Sequence, residues 1–241
     1  MTKPVRATLE RIVPEALAPE STTGQETLEL HLARYRFAAQ HLHGGRVLDL
    51  ACGVGYGSAI LAGEPGVASV VAGDISVDAL RHAREHYRHP RVLLCCGDHA
   101  DWLRLASFDG IVSLETIEHV PEPRRLLQQF ATLLRPGGML VASVPVTPSV
   151  DANPHHRNDF TSAQFLRMGE AAGFELTAML HQVQPFSVVR VLIRAEERTQ
   201  DLRQGLLRYY AANPGAAWRR LVSTIRYGFT NRYLTVAWRK R

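Results

Sequence analysis

The sequence predicts an α/β fold, doubly wound around a mostly parallel sheet. Two observations carry this. Short apolar runs alternate with helical segments through roughly the first 180 residues, which is the pattern of βαβ units. A glycine-rich turn, Gly53, Gly55 and Gly57, stands between the first such run and the helix after it.

The elements follow in order. Leu28, Leu32, Tyr35, Ala39 and Leu42 recur at helical spacing over 22–42, and Gly44-Gly45 ends that helix. Arg46 to Leu50 is a strand, and the chain after the glycines, Ser58 to Ala62, is helical. Strands at 68–72, 91–96, 108–114 and 139–144 alternate with helices at 77–87 and 123–134. Ser76 or Asp74 suits the cap of the 77–87 helix, and Pro136-Gly137-Gly138 closes the 123–134 helix. A helix at 162–172, capped by Gly173, leads to a strand at 174–180, and 232–238 is a last strand. The chain reads as one domain over 1–241, with an N-terminal helical segment at 1–43 and a helical insert or cap at 181–231. The insert is helical around 188–210, with a turn at Asn213-Pro214-Gly215.

Composition limits the class. With 241 residues, 46% apolar and 21% charged, the chain can bury a sizeable core. No apolar run approaches the roughly 20 residues of a membrane-spanning helix. Met1 to Glu20 lacks the continuous apolar stretch of a secretory signal. Cys52, Cys95 and Cys96 are an odd set for a disulfide scaffold, so a cytoplasmic home is expected. From His181 onward, eleven arginines and one lysine face only Glu196, Glu197 and Asp201. Such a region is either a solvated helical face or a footprint for an anionic partner.

Three acids fall at the ends of successive strands, where open α/β sheets bind ligands: Asp49, Asp74 and Asp98. Each alone is also a plausible cap or turn residue. Asp49 ahead of the glycines would repel a pyrophosphate and suit an ammonium. This favours S-adenosylmethionine (SAM) over a dinucleotide. Asp74 is placed to accept ribose hydroxyls, and Asp98 an adenine amino group.

Asp49-Leu50-Ala51-Cys52-Gly53-Val54-Gly55 resembles the first motif of the class I SAM-dependent methyltransferases, and Leu133-Leu134-Arg135-Pro136-Gly137-Gly138 resembles their turn before the fifth strand. The resemblance spans roughly 44–173. It implies a Rossmann-like, seven-stranded, mostly parallel sheet with the last strand antiparallel and a helical insert before it. It also implies cofactor contacts from Tyr35, Asp49, Ala51, Cys52, Gly53, Gly55, Asp74, Ile75, Asp98, His99 and Glu115. His99 departs from the small apolar residue common beside that acid. Arg34 and Tyr35 are positioned in sequence to reach the cofactor's carboxylate, or to be a surface Arg and a core Tyr.

Methyl transfer needs a positioned nucleophile and often a base. Glu118 and His119, after the fourth strand, are the candidates, with His119 the natural base at neutral pH; the alternative is a packed histidine. Glu115-Thr116-Ile117-Glu118-His119 resembles the block of the ubiquinone-biosynthesis O-methyltransferases and of the small-RNA 2′-O-methyltransferases. That resemblance implies a divalent cation such as Mg²⁺ on Glu115, Glu118, His119 and a later histidine, for which His156 is the candidate. The metal assignment itself stays open. The chain lacks an Asn-Pro-Pro-Tyr or Asp-Pro-Pro-Tyr block, so O-methylation of a small molecule or glycan, a sugar hydroxyl above all, is expected. Glu10-Arg11-Ile12-Val13-Pro14-Glu15 is similar to the opening of bacterial sugar-modifying methyltransferases. RNA 2′-O-methylation, with the basic region as its footprint, and a non-catalytic SAM-binding regulator are the alternatives. Nucleic acid is therefore a conceivable partner but not the favoured one, and a homodimer is compatible with the insert.

Overall fold

A computed structural model describes residues 8, 10–18, 21–97, 107–185 and 201–241. Seven strands form one sheet in the order β3-β2-β1-β4-β5-β7-β6. They are β1 (Gly45–Leu50), β2 (Val67–Asp74), β3 (Val92–Cys96), β4 (Phe108–Leu114), β5 (Leu134–Pro145), β6 (Phe174–Pro185) and β7 (Thr230–Lys240). β7 runs antiparallel to both β5 and β6. The expected Rossmann-like sheet with an antiparallel last strand is what the chain forms.

The central strands β1, β4 and β5 carry apolar runs buried on both faces, whereas the edge strands β3 and β6 are partly exposed. Val47 and Leu48 point to opposite faces of β1, yet both are fully buried. Val47 packs with Tyr35 and Ala38 of α1 (Thr22–His41) and Leu61 of α2 (Tyr56–Gly63). Leu48 packs with Leu127 and Phe130 of α4 (Pro123–Leu133) and Phe165 of α5 (Ser162–Ala171). α3 (Val77–His86) joins the first layer through Leu80, and its start is capped by the Ser76 hydroxyl, which accepts from the Ala79 amide.

Four boundaries differ from expectation. β6 runs on through 181–185, and β7 starts at Thr230, so both ends of the expected 181–231 insert belong to the sheet. The extension of β6 was hidden because Gln182 and Gln184 break its apolar pattern. Both are buried, and their amides donate to Leu30 O (3.1 Å) and Thr27 Oγ1 (2.9 Å) of α1. Pro136-Gly137-Gly138 lies within β5 rather than closing the helix, which ends at Leu133. Pro214 opens a helix instead of completing a turn. Between β6 and β7, the described residues form α6 (Leu206–Ala212) and α7 (Pro214–Tyr227). Most of the helix expected over 188–210 lies outside the described residues.

Candidate cofactor and active site

The strand order reverses between β1 and β4, and the crevice at that switch point is where open α/β sheets take ligands. The residues beyond β1 and β4 are strained there. Ala51 (φ 62°) and Glu115 (φ 50°) are the two described non-glycine residues with left-handed backbone. Such conformations cost about 1–3 kcal/mol and cluster at functional sites.

The loop from Ala51 to Gly57 is tied down by Asp74 and Asp49. The Gly53 amide donates to Asp74 Oδ2 (2.9 Å) and the Ser76 amide to Oδ1 (2.8 Å). Gly55 has φ 91°, and a Cβ there would press on Ala83 of α3. At Gly57 a Cβ would overlap the Tyr35 ring. The glycines therefore serve close packing of α1, the loop and α3 as much as an approach by ligand. Above Gly53 the space is open.

Asp49 is almost wholly buried at the end of β1. Ser58 Oγ donates to its Oδ2 (2.6 Å), and the Tyr35 hydroxyl stands 3.4–3.5 Å from the two oxygens. Burial raises its pKa to about 7, and the nearby charge of Asp74 adds to this, against the two hydroxyl donors. Tyr35 is thus a core residue under the loop and a donor to Asp49. Arg34 is also interior. Its Nε donates to Gln182 Oε1 (2.7 Å), its guanidinium covers the Tyr233 ring, and Nη1 lies 3.6 Å from Glu115 Oε1. Cys52 is buried, whereas Ile75, next to Asp74, is 68% exposed. Asp98 and His99 lie outside the described residues.

Past β4, Glu115 Oε1 accepts from Ser143 Oγ of β5 (2.7 Å). Glu118, a candidate catalytic residue by sequence, is fully buried. Among the described residues, neither of its carboxylate oxygens has a hydrogen-bond partner. Burial, and then the charge of Glu115, hold its pKa well above the usual carboxylate range. A neutral acid costs far less to bury than a carboxylate. Its backbone carbonyl accepts from the Arg157 and Asn158 amides (2.9 and 3.1 Å), pinning the loop that carries His156.

His119 and His156 meet edge to face, ring centroids 4.7 Å apart. A residue absent from the expected site joins them. Glu10 Oε2 lies 2.8 Å from His119 Nε2, and Oε1 lies 3.8 Å from His156 Nε2. The Asn153 amide also donates to Glu10. Burial opposes ionisation of Glu10, but its partners win and hold its pKa at about 2. Burial likewise opposes charge on His119, yet the Glu10 hydrogen bond and the charges of Glu118 and Glu10 lift it to about 9. His156 goes the other way, to about 4, through burial and the neighbouring His119, with Glu10 only partly compensating. His156 Nδ1 pairs with Ser149 Oγ (2.7 Å) and His119 Nδ1 with His155 O (3.1 Å).

Glu10 belongs to a strap laid across the site. Arg11 Nη2 lies 3.8 Å from Asp74 Oδ1, Val13 packs on Val54 and Ala79, and Glu15 contacts His82 and Tyr87. The signal was the Glu10-Arg11 pair ahead of Pro14, which sequence reasoning noticed without placing it in the site.

The donor set expected for a divalent cation is not assembled. Glu115 is engaged by Ser143, and Glu118 is a buried acid. Ligand atoms of Glu10, His119 and His156 do lie within 4.8 Å of one another. Two imidazoles and one carboxylate suit Zn²⁺ or Mn²⁺ better than Mg²⁺, which prefers oxygen donors.

Residues 48–142, which include the loop, Asp74 and His119, match the family model described as a methyltransferase domain. Over that stretch the chain is similar to a methyltransferase domain. A ubiquinone biosynthesis O-methyltransferase of Aeromonas salmonicida is 32% identical over 154 residues, 55% of this chain and 63% of its own. A methyltransferase of Streptomyces halstedii is 33% identical over 147 residues, 57% of this chain and 50% of its own. The chain spans about six-tenths of the length of such curated relatives. Among solved structures, the N-methyltransferase NodS of Bradyrhizobium japonicum, in complex with S-adenosyl-L-homocysteine, has a TM-score of 0.60. It is 14% identical and covers 92% of this chain and 89% of its own. That likeness concerns the fold alone.

Proposed function

We propose that this chain is a SAM-dependent methyltransferase that methylates a hydroxyl of a small molecule or glycan, with a sugar hydroxyl the favoured acceptor. The observation that carries the reading is the strap, whose adjacent Glu10 and Arg11 reach His119 and Asp74 and so bring the candidate base beside the acids that end β1 and β2.

The residues fit the cofactor. Each Asp74 oxygen already accepts one backbone amide and keeps lone pairs for ribose hydroxyls. Exposed Ile75 offers an apolar surface to an adenine ring. Asp49, raised to about 7 by burial, regains its negative charge beside a cation. Ala51, Cys52, Gly53 and Gly55 supply the backbone of the cradle, Glu115 its far rim, and Tyr35 holds Asp49. Bound SAM supplies a methyl group on a sulfonium, transferable by in-line displacement.

His119 is the base for the acceptor's proton. Its Nε2 faces Glu10, so an acceptor hydroxyl takes the place of Glu10 at that nitrogen before accepting the methyl. His156 orders the same edge, and Glu118 anchors the loop behind it. The test is direct. The chain is incubated with SAM and a panel of sugar, phenol and amine acceptors, and products are read by mass spectrometry. Methylated hydroxyl products that vanish in His119→Ala support the reading. Methylation of amines alone, or full turnover by His119→Ala, overturns it.

A further inference from the structure

The second helix of the insert has its polarity reversed. In α7 the side turned toward the protein carries Ala216, Arg220, Ser223, Thr224 and Tyr227. Trp218, Leu221, Val222 and Ile225 face outward, Trp218 66% and Ile225 77% exposed. These recur at i, i+3, i+4 and i+7, so they form one stripe along the helix. Exposed Phe229 follows the helix, and Leu206 and Leu207 of α6 are exposed before it. A helix that served only the core would bury such a stripe. Here the inward contact is ionic instead: the Arg220 guanidinium grips the buried Asp151 carboxylate through two hydrogen bonds.

Charge decides what the stripe meets. Residues 202–241 hold eight arginines and one lysine and no acid. Exposed Arg219 and Arg226 flank the stripe. A second copy docking by a two-fold axis along the stripe would bring Arg219 and Arg226 toward their own copies, which like charges oppose. A nucleic acid would match the arginines and leave the apolar stripe in water. An anionic bilayer satisfies both, with apolar side chains at the acyl boundary and arginines at the phosphates.

We propose that α7 is an in-plane membrane anchor that docks this protein on anionic lipid surfaces. The inference is independent of the methyl acceptor. The full chain is sedimented with vesicles of phosphatidylcholine alone and of phosphatidylcholine with phosphatidylglycerol. It is expected to partition onto the phosphatidylglycerol vesicles, and less so as salt rises. The double variant Trp218→Ser/Ile225→Ser is expected to weaken that partition at least about tenfold with its thermal midpoint unchanged, since both side chains are exposed. Arg219→Glu/Arg226→Glu is expected to weaken anionic partition selectively. Absence of partition by the wild-type chain would overturn the proposal. So would partition unchanged in the double variant, or light scattering showing a dimer that the double variant dissolves while no vesicles are bound.

Discussion

Glu10 Oε2 and His119 Nε2 stand 2.8 Å apart, so a residue from the N-terminal strap completes the site at the end of β4. While that pair is intact, His119 carries a proton up to about pH 9, and only neutral imidazole can act as a base. The pH profile of kcat/KM is therefore expected to rise toward about pH 9. Glu10→Gln removes the largest support for the charged form, and the rise moves toward the ordinary histidine range. The variant is then the faster enzyme near pH 7. A profile that Glu10→Gln leaves in place would show that this pair does not govern the base.

Asp49 gives the cofactor site its own pH dependence. Its pKa is raised to about 7, so it is neutral below that pH and anionic above it. A cationic ligand prefers the anion. SAM affinity is expected to strengthen as pH rises from about 6 to 8, with proton release on binding. Calorimetry in buffers of different ionisation enthalpy reads both effects, and Asp49→Asn should flatten them.

Asp74→Asn leaves the side chain's size intact but removes half its acceptor capacity and its pairing with Arg11. We expect SAM affinity to fall about 10- to 100-fold, in keeping with loss of one or two charge-assisted hydrogen bonds. A change below about twofold would remove Asp74 from the ribose site.

Chelation probes the metal. Because Glu115 and Glu118 are committed elsewhere, EDTA is expected to leave turnover unchanged. Added Zn²⁺ is expected to inhibit by occupying Glu10, His119 and His156. Turnover lost to EDTA and restored by Mn²⁺ or Zn²⁺ would reinstate a catalytic ion.

Asp151 is expected to matter for stability. Arg220, Tyr210 and a backbone amide lower its pKa against the cost of burial. A depressed carboxylate pKa contributes stability that is complete above the unfolded value and is lost as pH falls through the folded one. The loss should therefore appear below about pH 4. Asp151→Ala leaves Arg220 unpaired and should cost about 2–3 kcal/mol, discounted for the partial exposure of Arg220. Chemical denaturation at pH 7 and pH 3 would measure both.

The sheet was legible because its central strands obey one local rule: apolar on both faces and bounded by turn residues. Where a strand breaks that rule it was missed, as at Gln182 and Gln184, whose polarity is spent on α1 rather than on solvent. The positions of Asp49 and Asp74 at the ends of β1 and β2 were legible for the same reason, since topology puts strand ends at one edge. Burial was not legible. Glu118 and His119 are adjacent in sequence and look equally available, yet one is sealed in the core and the other meets Glu10. Nor was Glu10, because no periodicity links a strap to a strand so far along the chain. Pro214 read as a turn because proline at a first helical position and proline in a turn look alike locally.

The described part of the insert is fastened over a narrow footing. Arg203, Tyr210 and Arg220 all converge on 148–152. None of the groups placed in the proposed site lies on the segment itself. A graft that brings its own cations to Asp151 keeps the loop bearing His156 in register, while everything the segment shows to the outside is free to change. The surface proposed to meet lipid and the groups proposed to move the proton therefore sit on separate stretches of chain.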